Sequence, residues 1–502
     1  MIWLYRILFF PALLLMLPCY LLRMWRRGGY GPGFSQRFGG GVALGAKRAG
    51  VRRVWIQAVS VGEMQAIAPL LGALKQCGNV EVYLTTTTST GHKIALDRFG
   101  GKSGLAAGIG YFPLDWWAFS ARAWRRVQPD LVILMEGELW PEHIAQARGR
   151  GVPVLVVNAR MSDRSFARMK TWRRAVMPLL QKGITRVLAC SEGDAARFRE
   201  LGFTAQQVAA TGNIKWDVTI PALGAEEKAA LMSELGLAGA PLATPGLGKG
   251  AEGTKGVASD APTGGVTNTQ SAESVARAEN APPVSPVPDL ILLGSSTWPG
   301  EEEACVAALR AARAAGVSAR LLLVPRHAER RGEVEAMLQK EAAAGAGVAS
   351  AGVDVAGANA ADGGGLTWHF RSRGAAPAAV DVAVGDTTGE LRKFTQLADL
   401  VFVGKSLAPH TEGQTPIEAA ALGRAIVFGS GMSNFREISR RLVKAGAARE
   451  VRSREEFCLE AARILGDAAA REKMMASSEA CYRGNQGAVA RTVAVIGEFL
   501  RA

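Results

Sequence analysis

Ser60 and Glu63 lie between a short apolar run, VWIQAV at 54–59, and the helix-like stretch MQAIAPLLGALKQ. Ser-x-x-Glu is the capping-box pattern, in which the glutamate reaches back to the serine backbone N–H. Local sequence favours that structural role. A carboxylate at a strand-to-helix turn is also where α/β enzymes place reactive groups, and there it can accept a proton. A second acidic stretch, EGELWPE at 136–142, follows the apolar run PDLVILME. Glu136 and Glu138 then stand at the carboxyl end of a predicted strand, the edge at which open α/β sheets bind ligands. They are either solvated carboxylates around a core Trp140 or a reactive acidic pair. TTTTSTG at 85–91 ends another apolar run with hydroxyls.

The second half carries groups suited to an anion. In GSSTWPGEE (294–302), Ser295, Ser296 and Thr297 can cap a helix and offer backbone donors. In LVPRHAER (323–330), Pro325 precedes Arg326, His327 and Arg330, and arginine suits bidentate phosphate recognition. A solvated basic loop is the plainer reading. GDTTGELRKF (385–394) holds Thr388, Gly389 and Glu390 in a turn-rich stretch. TPIEAAALG (415–423) places Pro416 at a first helical position and Glu418 in the first turn. A helix start there can take a phosphate while the glutamate holds ribose hydroxyls.

These stretches need a scaffold that brings strand ends together. From residue 51, short β-branched runs alternate with amphipathic helical segments: 54–59, 80–88, 129–136, 152–160 and 185–191. A fresh series begins at 289 and continues at 319, 398 and 424. Such alternation predicts parallel sheets covered on both faces, and two series predict two α/β domains. GNIKWDV (212–218) reads as the hinge. Residues 238–288 and 342–378 are rich in Ala and Gly and poor in large apolar groups, so both read as disordered or low-complexity insertions.

The chain has 502 residues, with 59 Lys and Arg against 45 Asp and Glu, a net charge of +14. That excess suits an anionic partner, and no zinc-finger spacing or basic helix directs it to nucleic acid. The six cysteines lie far apart with no C-x-x-C pair, which argues against a disulfide framework. The five histidines share no metal-ligand spacing, so no metal site is expected. Residues 2–22 are apolar except Arg6, and Arg23, Arg26 and Arg27 follow. About 20 such residues span a bilayer core, and the flanking charge places the body on the cytoplasmic side. Arg6 and Pro11 leave open whether this anchor spans the membrane or lies in it.

Taken in serial order, SQRFG (35–39), VSVGE (59–63), EGELWP (136–141), NARMSDRS (158–165), GNIKWD (212–217), GSSTWPGEE, VPRHAER, GDTTGEL and TPIEAAALG resemble the 3-deoxy-D-manno-octulosonic acid (Kdo) transferases of lipid A glycosylation. The resemblance implies a GT-B fold, two Rossmann-like domains facing a cleft with an N-terminal anchor helix. It implies an anchor at 1–27, an acceptor domain at 28–215 and a CMP-sugar domain at 216–237 plus 289–502. It also implies transfer of Kdo from CMP-Kdo, with inversion, to a hydroxyl of a phosphorylated lipid A precursor at the cytoplasmic side of the inner membrane. No cofactor or metal belongs to that picture, and an anionic membrane surface does. Glu63 falls on the family's catalytic carboxylate, and Glu136 and Glu138 on its second acidic motif. CMP contacts fall on Pro325, Arg326, Thr388, Gly389, Glu390, Thr415, Pro416, Ile417 and Glu418. Two departures stand out: the family's Gly-Gly-Ser is here Gly404-Lys405-Ser406, and its Gly-Gly-His-Asn is Glu412-Gly413-Gln414-Thr415. Two other readings stay open, a membrane-bound GT-B enzyme using a UDP-sugar and a non-catalytic anchored relative.

Overall fold

The apolar runs become strands buried on both faces. In the computed structural model, which describes residues 1–26, 33–40, 44–59, 61–238, 289–345 and 365–501, β1 (Arg52–Gln57), β2 (Val80–Thr86), β3 (Gly108–Tyr111), β4 (Leu131–Met135), β5 (Val154–Ala159), β6 (Arg186–Ala189) and β7 (Val208–Ala210) form one parallel sheet. Its spatial order is β3-β2-β1-β4-β5-β6-β7. All five side chains of β4 are buried, each contributing about 1.5–3 kcal/mol as apolar surface leaves water. One face packs Val54, Ile56, Leu84, Ile133 and Leu155 under helical residues such as Leu70 and Leu74. The other packs Trp55, Tyr83, Val132 and Val156 against Trp124, Ile144 and Phe198.

The second sheet contains β8 (Leu290–Thr297), β9 (Ala319–Pro325), β10 (Trp368–Phe370), β11 (Val382–Val384), β12 (Leu400–Val403), β13 (Ala425–Gly429) and β14 (Ala448–Val451). Its order is β10-β11-β9-β8-β12-β13-β14. In both sheets the first strand sits between its successor and a strand reached by a long crossover. The strand order therefore reverses at β1/β4 and at β8/β12. Open α/β sheets bind ligands at the carboxyl side of such a reversal. The two sheets give the expected GT-B-type pair of Rossmann-like units.

The chain divides into Met1–Thr219 with Tyr482–Ala502, and Ile220–Cys481. The sequence reading runs the second domain on to residue 502, whereas the last segment belongs to the first unit. The physical reason is a stripe on the helix Ala488–Arg501: Ala488, Val489 and Ile496 join the core that holds Leu70, Leu71 and Leu74. Asp217 accepts the Gly487 and Val489 backbone N–H groups, fixing the start of that helix.

The expected insertion at 342–378 is shorter than its composition suggests. Residues 342–345 complete the helix Arg331–Gly345, and β10 pairs in parallel with β11. Residues 239–288 and 346–364 lie outside the described residues.

Candidate active site

At the reversal of the first sheet, β1 leads into the helix Val61–Ala66, which carries Glu63. Glu63 is buried, and its Oε2 accepts the Val59 N–H at 2.8 Å. That bond is a capping contact shifted one residue upstream of the expected Ser60, which lies outside the described residues. Capping and chemistry are therefore not alternatives here. The carboxylate is tied down through one oxygen and sits close enough to raise the proton affinity of Glu138.

Across the reversal, β4 ends at Met135 and Glu136 turns sharply, with φ +54. The extended backbone of the strand ends here. A left-handed conformation costs a non-glycine residue roughly 1–2 kcal/mol. Two cations hold the turned side chain: Arg160 Nε lies 2.5 Å from Oε2 and Lys215 Nζ 2.6 Å from Oε1. Burial pushes the Glu136 carboxyl up, and Lys215 and Arg160 more than reverse this, so it stays below the ordinary carboxylate range. It is a fixed anion.

Glu138 behaves oppositely. Burial first, then the charges of Glu63 and Glu136, push it up to about 7, against a restraining bond from Trp140 Nε1 at 2.8 Å. Two carboxyls two residues apart are thus separated into one permanent anion and one group that takes a proton near neutrality. That division is characteristic of acid–base sites.

Asn158, at the end of β5, also has a left-handed backbone, φ +54. Its Oδ1 accepts the Ile214 N–H at 3.1 Å, while its buried Nδ2 has no hydrogen-bond partner. Beside this edge lies a cavity of about 410 Å³, lined by Gly137, Leu139, Met161, Met169, Trp172 and Phe198 among others. Arg160 and Arg168 also face it. Lys215, Arg160 and Asn158 were not assigned roles from sequence. Their signal was an amide and a charged residue at the end of the apolar β5 run, within NARMSDRS, and a lysine in the turn Ile214–Asp217, within GNIKWD.

Basic residues of the first unit near its amino-terminal end are mostly committed to internal partners. Arg37 is buried and donates to Thr87 O, Arg53 pairs with Glu81 inside the unit, and Lys47 pairs with Asp130 at 2.7 Å. His143 is a core histidine: burial drives it down to about 3, and its Nδ1 accepts the Trp124 Nε1–H. Among the described residues no group of three or more His, Cys, Asp or Glu could hold a metal ion.

The second unit presents its candidates on one carboxyl edge as well. Pro325 closes β9, and the Arg326 N–H donates to Thr297 O while its side chain is exposed. Thr388 and Gly389 are exposed after β11, and Glu390 receives a bond from the Thr387 hydroxyl. Pro416 caps the short helix Ile417–Ala421 rather than opening it, one residue off the sequence reading. Glu418 pairs with Arg392 at 2.8 Å, tying the 415–418 segment to the helix that follows Glu390. Ser295, Ser296 and Thr297 do not cap a helix: β8 runs through Thr297, and Gly300 precedes the helix Glu301–Ala314.

Glu301 accepts the backbone N–H groups of Lys405, Ser406 and Leu407 at 2.7–3.0 Å, so that turn is already filled by a carboxylate. Lys405 has φ +59, the conformation that the family's glycine would adopt without strain. Its Nζ lies 4.4 Å over the Trp298 ring and 3.4 Å from Glu412. The two departures from the family pattern thus touch each other.

Known proteins resemble this chain along most of its length. Residues 32–218 match the family model described as 3-Deoxy-D-manno-octulosonic-acid transferase (kdotransferase). The 3-deoxy-D-manno-octulosonic acid transferase of Bordetella pertussis is 30% identical over 96% of this chain and 96% of its own. That of Haemophilus influenzae is 27% identical over 89% and 87%. Among solved structures, a putative UDP-N-acetylglucosamine 2-epimerase from Listeria monocytogenes superposes with TM-score 0.50 at 13% identity, covering 89% of this chain and 96% of that one, a likeness of fold alone. The C-terminal CMP-Kdo binding domain of an Acinetobacter baumannii protein matches 38% of this chain and 89% of its own at 23% identity, with TM-score 0.32.

Proposed function

We propose a donor, an acceptor and a stereochemical course for this chain, which belongs to the 3-deoxy-D-manno-octulosonic acid transferase family and is a glycosyltransferase of lipopolysaccharide biosynthesis. The donor is CMP-Kdo. The acceptor is a hydroxyl of a phosphorylated lipid A precursor, reached at the cytoplasmic side of the inner membrane. The sugar is transferred in one displacement with inversion.

The observation that carries this reading is the pairing of Glu63 with a fixed anion and a neutralised acid. Glu63 takes the proton of the acceptor hydroxyl as its oxygen bonds to the anomeric carbon. The bond from that carbon to the CMP phosphate breaks on the opposite face, and CMP leaves with the electron pair. The base must stay charged at neutral pH, and Glu138, with its carboxyl near 7, relieves rather than adds repulsion when it is protonated. Glu136, locked by Lys215 and Arg160, shapes the loop without itself taking a proton. CMP is already anionic, so it needs donors and positive charge more than an acid. Arg326, Thr388, Gly389, Glu390 and the segment Thr415, Pro416, Ile417 and Glu418 are proposed to hold it. The apolar cavity flanked by Arg160 and Arg168 suits an acceptor that combines acyl chains with phosphate. No resident metal is part of the proposal, and transfer should persist in EDTA.

The deciding experiment is single-turnover transfer from CMP-Kdo to a tetraacylated lipid A precursor, comparing wild type with Glu63→Gln. Glutamine can still accept the Val59 N–H but cannot take a proton. We expect an unchanged melting temperature and a rate lower by about 10²–10⁴. A variant that transfers nearly as fast as wild type refutes Glu63 as the base. A wild-type protein inert with CMP-Kdo refutes the donor.

A further inference from the structure

We infer that the N-terminal helix does not cross the bilayer but lies along its surface, latched at its N-terminal end to the first unit. This rests on the membrane attachment proposed above and specifies its geometry. Helix Ile2–Arg26 includes an 18-residue window, Ile2–Cys19, with mean hydropathy 1.9 and none of it buried. By length and composition it could span. Three observations within the first unit say otherwise.

The first is a latch. Arg6 Nε and Nη2 reach Glu142 Oε2 and Oε1 at 2.7 and 2.9 Å, a bidentate pair on a fully buried carboxylate. The Tyr5 hydroxyl donates to Asp115 Oδ2 at 2.8 Å, and Asp115 in turn accepts the Glu142 and His143 backbone N–H groups. Phe10 packs on Trp116 with ring centroids 5.3 Å apart. An arginine that looks like a flaw in an apolar segment is therefore a docking residue.

The second is reach. Gln36 and Arg37 are buried in the same unit, where Gln36 Oε1 accepts the Tyr111 N–H and Arg37 donates to Thr87 O. Residue 6 is thus held by the unit, and the chain is back in it shortly after Gly33. Arg6 to Arg26 is about 30 Å of helix. The seven residues from Arg26 to Gly33 extend at most about 25 Å. A hydrocarbon core is about 30 Å thick. A helix that left from residue 6 and crossed could not return in time.

The third is the helix's own faces. Trp3, Leu4, Ile7, Leu8, Leu14 and Leu15 are exposed and fall on one side at 100° per residue. Ile2, Tyr5, Arg6, Phe9, Leu13 and Leu17 are half-buried and fall on the opposite side. Over the first turns, through Phe9, one face meets the protein and the other is left for an apolar partner; farther along, Met16 is exposed on the protein-facing side as well. Uncharged, with a tryptophan at one end, that face matches the acyl boundary of a phospholipid surface.

The test uses the full chain with an N-terminal epitope tag, produced in a bacterial host. In intact spheroplasts, external protease should leave the tag uncut, while inside-out vesicles should lose it. Cleavage from outside overturns the inference. Arg6→Leu removes the latch and keeps Arg23, Arg26 and Arg27, which favour an outside N-terminus, so outside cleavage of the tag should rise at least about tenfold. No rise overturns the latch. Purified protein should float with phosphatidylethanolamine–phosphatidylglycerol vesicles, and Ile7→Lys with Leu8→Lys should weaken flotation at least about tenfold. Failure to float refutes membrane attachment itself, including that part of the proposed function. Outside cleavage with intact flotation refutes only the in-plane geometry.

Discussion

The two sheets reverse strand order in the same way, and both carry left-handed non-glycine residues along that carboxyl edge: Glu136 after β4 and Asn158 on β5 in one, Ser296 on β8 and Lys405 after β12 in the other. Their side-chain chemistry differs. At the first edge Glu63 and Glu138 share a field set by Glu136, Lys215 and Arg160. At the second edge four carboxylates are engaged within the unit. Glu301 fills the turn at 405–407, Glu302 pairs with Arg330, Asp386 with Arg331 and Glu418 with Arg392. Arg326, Thr388 and Gly389 are among the residues that face outward there. One scaffold offers the same place twice, and in the function proposed above the residues at its rim divide the work, protons at one edge and anions at the other.

The contrast can be broken most severely at Lys215. Lys215→Met leaves Glu136 with Arg160 alone, so its carboxyl rises and the loop loses its anchor. We expect kcat to fall by about 10²-fold and the acid limb of the pH–rate profile to shift upward, with KM for the donor little changed. If kcat holds, the first edge does not depend on a fixed anion. Next in size is Arg326→Ala on the other edge, for which the opposite split is expected. KM for CMP-Kdo should rise about tenfold or more with a smaller loss of kcat, as measured by steady-state kinetics. Equal effects on kcat from both variants would erase the distinction between the edges.

Glu138→Gln sharpens the first edge through stability. A carboxyl raised to about 7 holds a proton in the folded state that the unfolded chain has already released above its ordinary value. Folding stability is therefore lost as pH rises from that ordinary value through 7, and the loss is complete above it. Glutamine removes this dependence. The variant should gain about 1–3 kcal/mol over wild type at pH 8 and little at pH 5, read by urea denaturation at both. The smallest effect is expected at Lys405→Gly. Relief of the left-handed backbone and loss of the contacts to Trp298 and Glu412 oppose each other, so stability should change by less than about 1 kcal/mol.

Much of the fold could be read from the chain because parallel strands buried on both faces must be continuous apolar runs. The ends of those runs therefore mark one edge of the sheet. That is why VWIQAV and PDLVILME point to Glu63, Glu136 and Glu138, and why Pro325 and Arg326 fall at a strand end. The serial order of the motifs carried the family. Local pattern failed where a partner lay far along the chain. The helix Ala488–Arg501 returns to the first unit because its apolar stripe fits the core near Leu70 and Leu74, 400 residues earlier. β10 exists because β11 offers it an edge, not because its three residues insist on a strand.

Charge shows the same boundary. The sequence determined that acids stand at the rim of the first sheet and that an apolar helix begins the chain. Only the tertiary structure decided which acid is held charged, which takes a proton, and that Arg6 closes onto Glu142. Proton affinity depends on burial and on charges within a few ångströms, and those neighbours are set by folding rather than by spacing along the chain.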